Sequence, residues 1–78
     1  MASVEESIKS AILEKIPGAQ VDVTPGSGGH YTLAVVSPVF AGKSMLESQR
    51  LVLGAIAHLM KGDGAPVHAI DTLKTRAP

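Results

Sequence analysis

The residues of this chain with the most chemistry to offer are its three histidines, His30, His58 and His68. There is no cysteine. That excludes disulfides, a CxxC redox pair, and any zinc or iron–sulfur site built from the chain's own thiolates. Two imidazoles can bind a borderline metal, but a closed tetrahedral site needs more protein ligands, so a second molecule would have to supply the rest. Asp22, Asp63 and Asp71 have no spacing that ties them to a histidine, and no serine–histidine–aspartate arrangement is legible. Nothing therefore points to a hydrolase. His58 falls on a long helix-like run, near the face opposite Leu53 and Ile56, and is expected to be exposed.

A second candidate motif is Gly42-Lys43-Ser44, the tail of a Walker A phosphate loop. The full pattern needs a glycine at position 37, which is Ser37, and a slim backbone where this chain carries Pro38, Val39 and Phe40. A chain of 78 residues also has no room for the parallel sheet behind such a loop. The better reading is a loop that launches a helix. Ser44 followed by Glu47 forms a capping box, in which the hydroxyl accepts from a first-turn amide and the carboxylate reaches back.

The elements that must position these residues follow from periodicity and breakers. Ser3 with Glu6 marks a helix start, and Val4, Ile8, Ala11, Ile12 and Ile16 line one helical face until Pro17-Gly18 stops it. Gln20 to Thr24 alternates as a short half-exposed strand, with Val21 and Val23 on one face. Pro25-Gly26-Ser27-Gly28-Gly29 is a loop, and His30 to Ser37 is rich in β-branched residues, as a central strand would be; together these predict a hairpin. A helix is predicted from Met45 to about Lys61, burying Leu46, Gln49 or Val52, Leu53, Ile56 and Met60, with Gly62-Asp63-Gly64 ending it. A last strand is predicted over Val67 to Leu73, with His68, Ile70 and Thr72 on one face and Val67, Ala69, Asp71 and Leu73 on the other. Lys74 to Pro78 reads as a tail.

Composition narrows the function classes. The length allows one domain, residues 1–78, and a chain this small buries roughly 60% of its extended surface. Net charge is zero with histidines neutral, and Tyr31 and Phe40 are the only aromatics. Both facts argue against a general electrostatic grip or a stacking platform for nucleic acid, and against an anionic membrane as partner. No apolar run reaches membrane-spanning length and no signal peptide is visible. The expectation is a cytoplasmic domain, or an organellar one after removal of a transit peptide.

The order helix, strand, strand, helix, strand leaves roughly thirty residues between the second and third strands, including a helix, which favours a right-handed parallel crossover. Both helices should then cover one face of a three-stranded mixed sheet, making an α+β two-layer domain. His30 opens the second strand and His68 nearly opens the third, so parallel neighbours about 4.8 Å apart bring both imidazoles to one end of the sheet. The loop Gly26–Gly29 lies at that end too.

Several motifs in this order resemble the BolA-like proteins: Gly28-Gly29-His30-Tyr31 opening a strand, Val36-Ser37 closing it, Phe40-Ala41-Gly42-Lys43-Ser44 before a helix, and Val67-His68-Ala69-Ile70 in the last strand. The match runs from about Val4 to Pro78. The resemblance implies a class II KH-like fold. It also implies a non-enzymatic partner of monothiol glutaredoxins of the Cys-Gly-Phe-Ser type, sharing a [2Fe-2S] cluster and serving iron–sulfur trafficking or iron sensing. On that resemblance His68 is the cluster ligand of the last strand, and His30 is the candidate second ligand, because the preceding loop offers only Ser27 and glycines.

Two departures from the family pattern bear on the alternative reading, a KH-like nucleic-acid-binding transcriptional regulator. Where many relatives have Arg-His-Arg in the large helix, this chain reads Glu47-Ser48-Gln49-Arg50, and Gln49 resembles the subgroup of the bacterial acid-stress paralogue. Where many relatives continue into a C-terminal helix, this chain stops at Thr75-Arg76-Ala77-Pro78. The spacing Gly26-Ser27-Gly28-Gly29 satisfies Gly-x-x-Gly, but in a hairpin and not between two helices. Nucleic-acid binding should therefore be weak.

Overall fold

The computed structural model describes residues 3–62 and 64–78, so the part predicted for Asp63 in ending the large helix lies outside the described residues. Helix α1 (Val4–Lys15) is followed by strands β1 (Gln20–Pro25) and β2 (His30–Val36), a one-turn 3₁₀ helix (Pro38–Phe40), helix α2 (Met45–Ile56), a second 3₁₀ turn (Ala57–Leu59) and strand β3 (Ala69–Arg76). The sheet has the order β1-β2-β3, with β1 antiparallel and β3 parallel to the central β2. The α+β class, the three-stranded mixed sheet and the parallel crossover are those the sequence predicts.

The local signals account for most of this. Ser3 Oγ accepts from the Glu6 amide at 3.1 Å, capping α1. Ile8, Ala11, Ile12 and Ile16 are buried along one face of α1, with Val4 packed against the same cluster. After Ile16 the chain reverses through Gly18, whose φ of +81° is costly for any residue with a Cβ. Pro25 ends β1, an edge strand, where a missing N–H costs no ladder bond.

The core lies between the sheet and both helices. Leu33 and Val35 of β2 pack with Ile8 and Ile12 of α1, Val52 and Ile56 of α2, and Phe40 and Val67 from the connections. The opposite face of the sheet is polar on its outer strands: Asp22 and Thr24 of β1, and Thr72, Lys74 and Arg76 of β3, are exposed. No described helix is long and apolar enough to cross a membrane.

Three sequence expectations are corrected. Leu46 and Leu53, predicted in the buried stripe of α2, are 57% and 38% exposed; the helix buries the predicted Val52 and Ile56 together with Ser48 and Ala55. The helix is apolar around most of its circumference, so periodicity alone does not choose a stripe; the small side chains of Ser48 and Ala55 let that face approach the sheet. The α-helix also ends at Ile56, short of Lys61. Its last turn tightens to 3₁₀, Met60 N–H donating to Ala57 O at 3.0 Å, and the Leu59 carbonyl accepts from Val67 N–H at 3.2 Å. Finally, β3 begins after His68 and runs to Arg76, so residues read as a tail are strand: Lys74, Thr75 and Arg76 pair with Ala34, Val35 and Val36.

The Gly42-Lys43-Ser44 loop is built as a helix launcher. Ser44 Oγ accepts from Glu47 N–H at 3.1 Å and Ser44 N–H donates to Glu47 Oε1 at 3.2 Å, completing the capping box. Ser37 is buried, and its Oγ accepts from Val39 N–H at 3.2 Å. The amides of Phe40, Ala41 and Lys43 donate to Ser37, Pro38 and Phe40 carbonyls. Amides committed to internal acceptors cannot cradle a phosphate, which disposes of the Walker reading.

Candidate functional site

β2 and β3 both begin at the end of the sheet where the glycine loop turns. His30 is the first residue of β2 and is paired with Ala69 of β3. His30 holds the loop closed: its carbonyl accepts from Gly26 N–H at 2.7 Å and its own N–H donates to Ser27 O at 3.3 Å. His68 sits one residue before β3, and its N–H donates to the Gly29 carbonyl at 2.8 Å. The two histidines are thus joined through a single backbone contact to the residue preceding His30. The parallel register brings them to one sheet end, as expected from the crossover. His58 lies apart, exposed on the 3₁₀ turn after α2, in agreement with the sequence reading.

Gly29 seats the His68 ring. A Cβ at position 29 would lie 3.0 Å from His68 Cγ and 3.2 Å from Nδ1, and Gly29 has φ +81°. Any side chain there would meet the imidazole as well as the left-handed backbone penalty.

No spacing in the sequence ties an aspartate to a histidine, but the structure brings one such pair together. His30 Nδ1 and Asp71 Oδ1 are 2.8 Å apart, with the two side chains 44% and 54% exposed. The contact lies beside a register shift. Tyr31 pairs with Ile70 and Thr32 with Thr72, so Asp71 is the extra residue of a β-bulge. The bulge also breaks the predicted alternation. Ile70 and Leu73, three apart and assigned to opposite faces, pair with Tyr31 and Leu33, which share one face of β2, and both pack on the core. Nothing local in the stretch from Ala69 to Leu73 announces the bulge. A carboxylate accepts and does not donate, so a hydrogen bond in this contact is donated by Nδ1–H of His30, and in the neutral ring Nε2 then carries the free lone pair. A histidine whose second nitrogen is held by a carboxylate is the usual form of a metal-ligating imidazole.

The donor set fits part of a metal centre. Among the described residues no group of three or more histidines, aspartates or glutamates is arranged to hold a metal ion. Two imidazoles can complete one iron of a [2Fe-2S] cluster whose other ligands are thiolates, as in Rieske centres, provided those thiolates come from outside the chain. Among the described residues, Asp71 brings acidic charge to this end, and its Oδ2 would lie 3.8 Å from a Cβ on Gly26.

Gln49, in the stretch where the family pattern is basic, is half-buried, and its Nε2 donates to Leu73 O at 3.4 Å. It ties α2 to β3 and is not offered to a phosphate.

Comparison with known proteins agrees with this architecture. A family model described as BolA-like protein matches residues 5–78. Human BolA-like protein 1 is 38% identical over 76 residues, covering 96% of this chain and 53% of the human protein, so the chain spans about half the length of that relative. Protein BOLA2 of Arabidopsis thaliana is 35% identical over 75 residues, covering 96% of this chain and 75% of the plant protein. A bol-like protein from Babesia bovis matches with a TM-score of 0.79 at 32% identity, covering 100% of this chain and 87% of that one. A BolA protein homologue from Coxiella burnetii gives 0.76 at 32% identity, covering 100% and 94%. By sequence and by fold, the chain belongs to the BolA-like family.

Proposed function

We propose that this protein is a non-enzymatic partner of a monothiol glutaredoxin, and that His68 and His30 ligate one iron of a [2Fe-2S] cluster shared between the two proteins. The observation that carries the reading is the juxtaposition of both histidines at one sheet end, His68 N–H bonded to Gly29 O beside His30. Imidazole is a good iron ligand, and the thiolates this chain lacks would be the glutaredoxin cysteine and glutathione. When bound, the cluster supplies a redox centre and a transferable iron–sulfur unit. The chain's own part is to present two imidazoles at one end of the sheet, beside a glycine loop with little bulk to obstruct a partner.

The test is titration of cluster-loaded monothiol glutaredoxin with wild-type, His68→Ala and His30→Ala protein, followed by visible circular dichroism. The wild type should give a new spectrum that His68→Ala abolishes and His30→Ala weakens. A wild-type spectrum and stability from His68→Ala would refute the assignment. The runner-up, a KH-like nucleic-acid regulator, is disfavoured by Asp71. A carboxylate beside Gly26 repels a phosphate backbone at the very loop that would clamp it. Sub-micromolar, sequence-selective binding in mobility shifts at physiological salt would reverse that ranking.

A further inference from the structure

We infer that Asp71 is a positioning residue for His30: the β-bulge presents its carboxylate to Nδ1, fixing the tautomer that leaves Nε2 unprotonated for a metal. The ligation half of this inference rests on the function proposed above; the tautomer half does not.

Free neutral histidine prefers its proton on Nε2, the atom that would have to bind iron. A carboxylate 2.8 Å from Nδ1 reverses that preference, because only the Nδ1–H form makes the hydrogen bond. The contact is also the one side-chain restraint described on the His30 ring. Its backbone is fixed by the loop closure and by pairing with Ala69, but the ring's rotation is not. Asp71 is the residue that the register passes over. With unbroken pairing after Tyr31–Ile70, Thr32 would face position 71, whereas its partner is Thr72. The bulge thus inserts one carboxylate into the strand next to one imidazole, and bulges are a common means of re-aiming a side chain at a site. The Coulombic value of the pair is small at this exposure, so stability does not explain it. Its effect is on which nitrogen carries the proton and where the ring points.

The experiment has two arms. In the first, long-range ¹H–¹⁵N spectra of the histidine rings are recorded on the cluster-free protein at a pH where the rings are neutral. His30 should carry its proton on Nδ1 in the wild type, shift to the Nε2–H form in Asp71→Ala, and keep the Nδ1–H form in Asp71→Asn, whose amide oxygen can accept the same bond. His68 and His58 should be unchanged in both variants. In the second arm, the variants are titrated against cluster-loaded monothiol glutaredoxin. Loss of a carboxylate behind a metal-binding histidine lowers metal affinity about 10–100-fold, and Asp71→Ala should weaken the mixed complex by that order, with partial rescue in Asp71→Asn. An Nε2–H tautomer in the wild type, or no change in Asp71→Ala, overturns the inference. So does an Asp71→Ala complex as tight as wild type in its presence. If the wild type itself forms no mixed complex, the functional reading fails and takes the ligation half with it, while the ring spectra still decide whether Asp71 sets the tautomer.

Discussion

Gly28 and Gly29 offer a matched pair of substitutions that separates backbone strain from disturbance of the site. Their φ values are +68° and +81°, so alanine at either position must enter the left-handed region, at roughly 1–2 kcal/mol. Their surroundings differ. A Cβ on Gly28 meets nothing within 4 Å, whereas one on Gly29 lies 3.0 Å from His68 Cγ and 3.3 Å from Cδ2. Those distances are a few tenths of an ångström too short, and the exposed His68 ring can relieve them by rotating. Gly28→Ala and Gly29→Ala should therefore lose similar stability in urea, on the order of 1–2 kcal/mol each. Only Gly29→Ala should move the His68 ring resonances, and only it should impair cluster uptake from a loaded glutaredoxin beyond what the fraction unfolded explains. The reasoning is refuted if both variants leave the His68 resonances in place, or if both displace them equally.

Three other expectations test the packing and the caps. Ile56→Ala, in a fully buried position, should cost about 2–5 kcal/mol, while Leu46→Ala should stay within about 0.5 kcal/mol, as measured by chemical denaturation; equal costs would mean that α2 is rotated. Ser44→Ala should lower stability by roughly 1 kcal/mol through loss of the bond to the Glu47 amide, without altering the His68 and His30 resonances. Bonds from the Ser44 backbone and side chain, with Lys43 nearby, hold the Glu47 carboxyl below its ordinary 4.5. Its ionised form then adds stability that is fully present above 4.5 and is lost as pH falls through the lower folded-state value. The melting-temperature difference between wild type and Glu47→Gln should accordingly shrink as pH drops below that range, and a difference that is constant with pH would contradict the cap's charge dependence.

What the sequence determined by itself is what neighbouring residues can settle among themselves. The Ser3 and Ser44 caps act within one helical turn of α1 and α2, and the isoleucine spacing of α1 needs no partner to declare its buried face. The Gly26–Gly29 loop between two β-rich runs forces a hairpin, and the helix-length connection after it forces β3 to lie parallel to β2. From those constraints alone, His30 and His68 come to one end of the sheet. Only the tertiary structure decided the rest, because each remaining feature depends on a surface that is distant in the chain. Which stripe of α2 is buried depends on how closely Ser48 and Ala55 let the helix approach the sheet, and a helix apolar on several sides cannot choose its stripe alone. Where β3 ends depends on β2 offering partners as far as Val36. The meeting of His30 with Asp71 depends on the register in which β3 pairs with β2, and strand periodicity describes each strand separately. The histidines are legible from local rules, but the carboxylate that orients one of them exists as a neighbour only after β2 and β3 have paired.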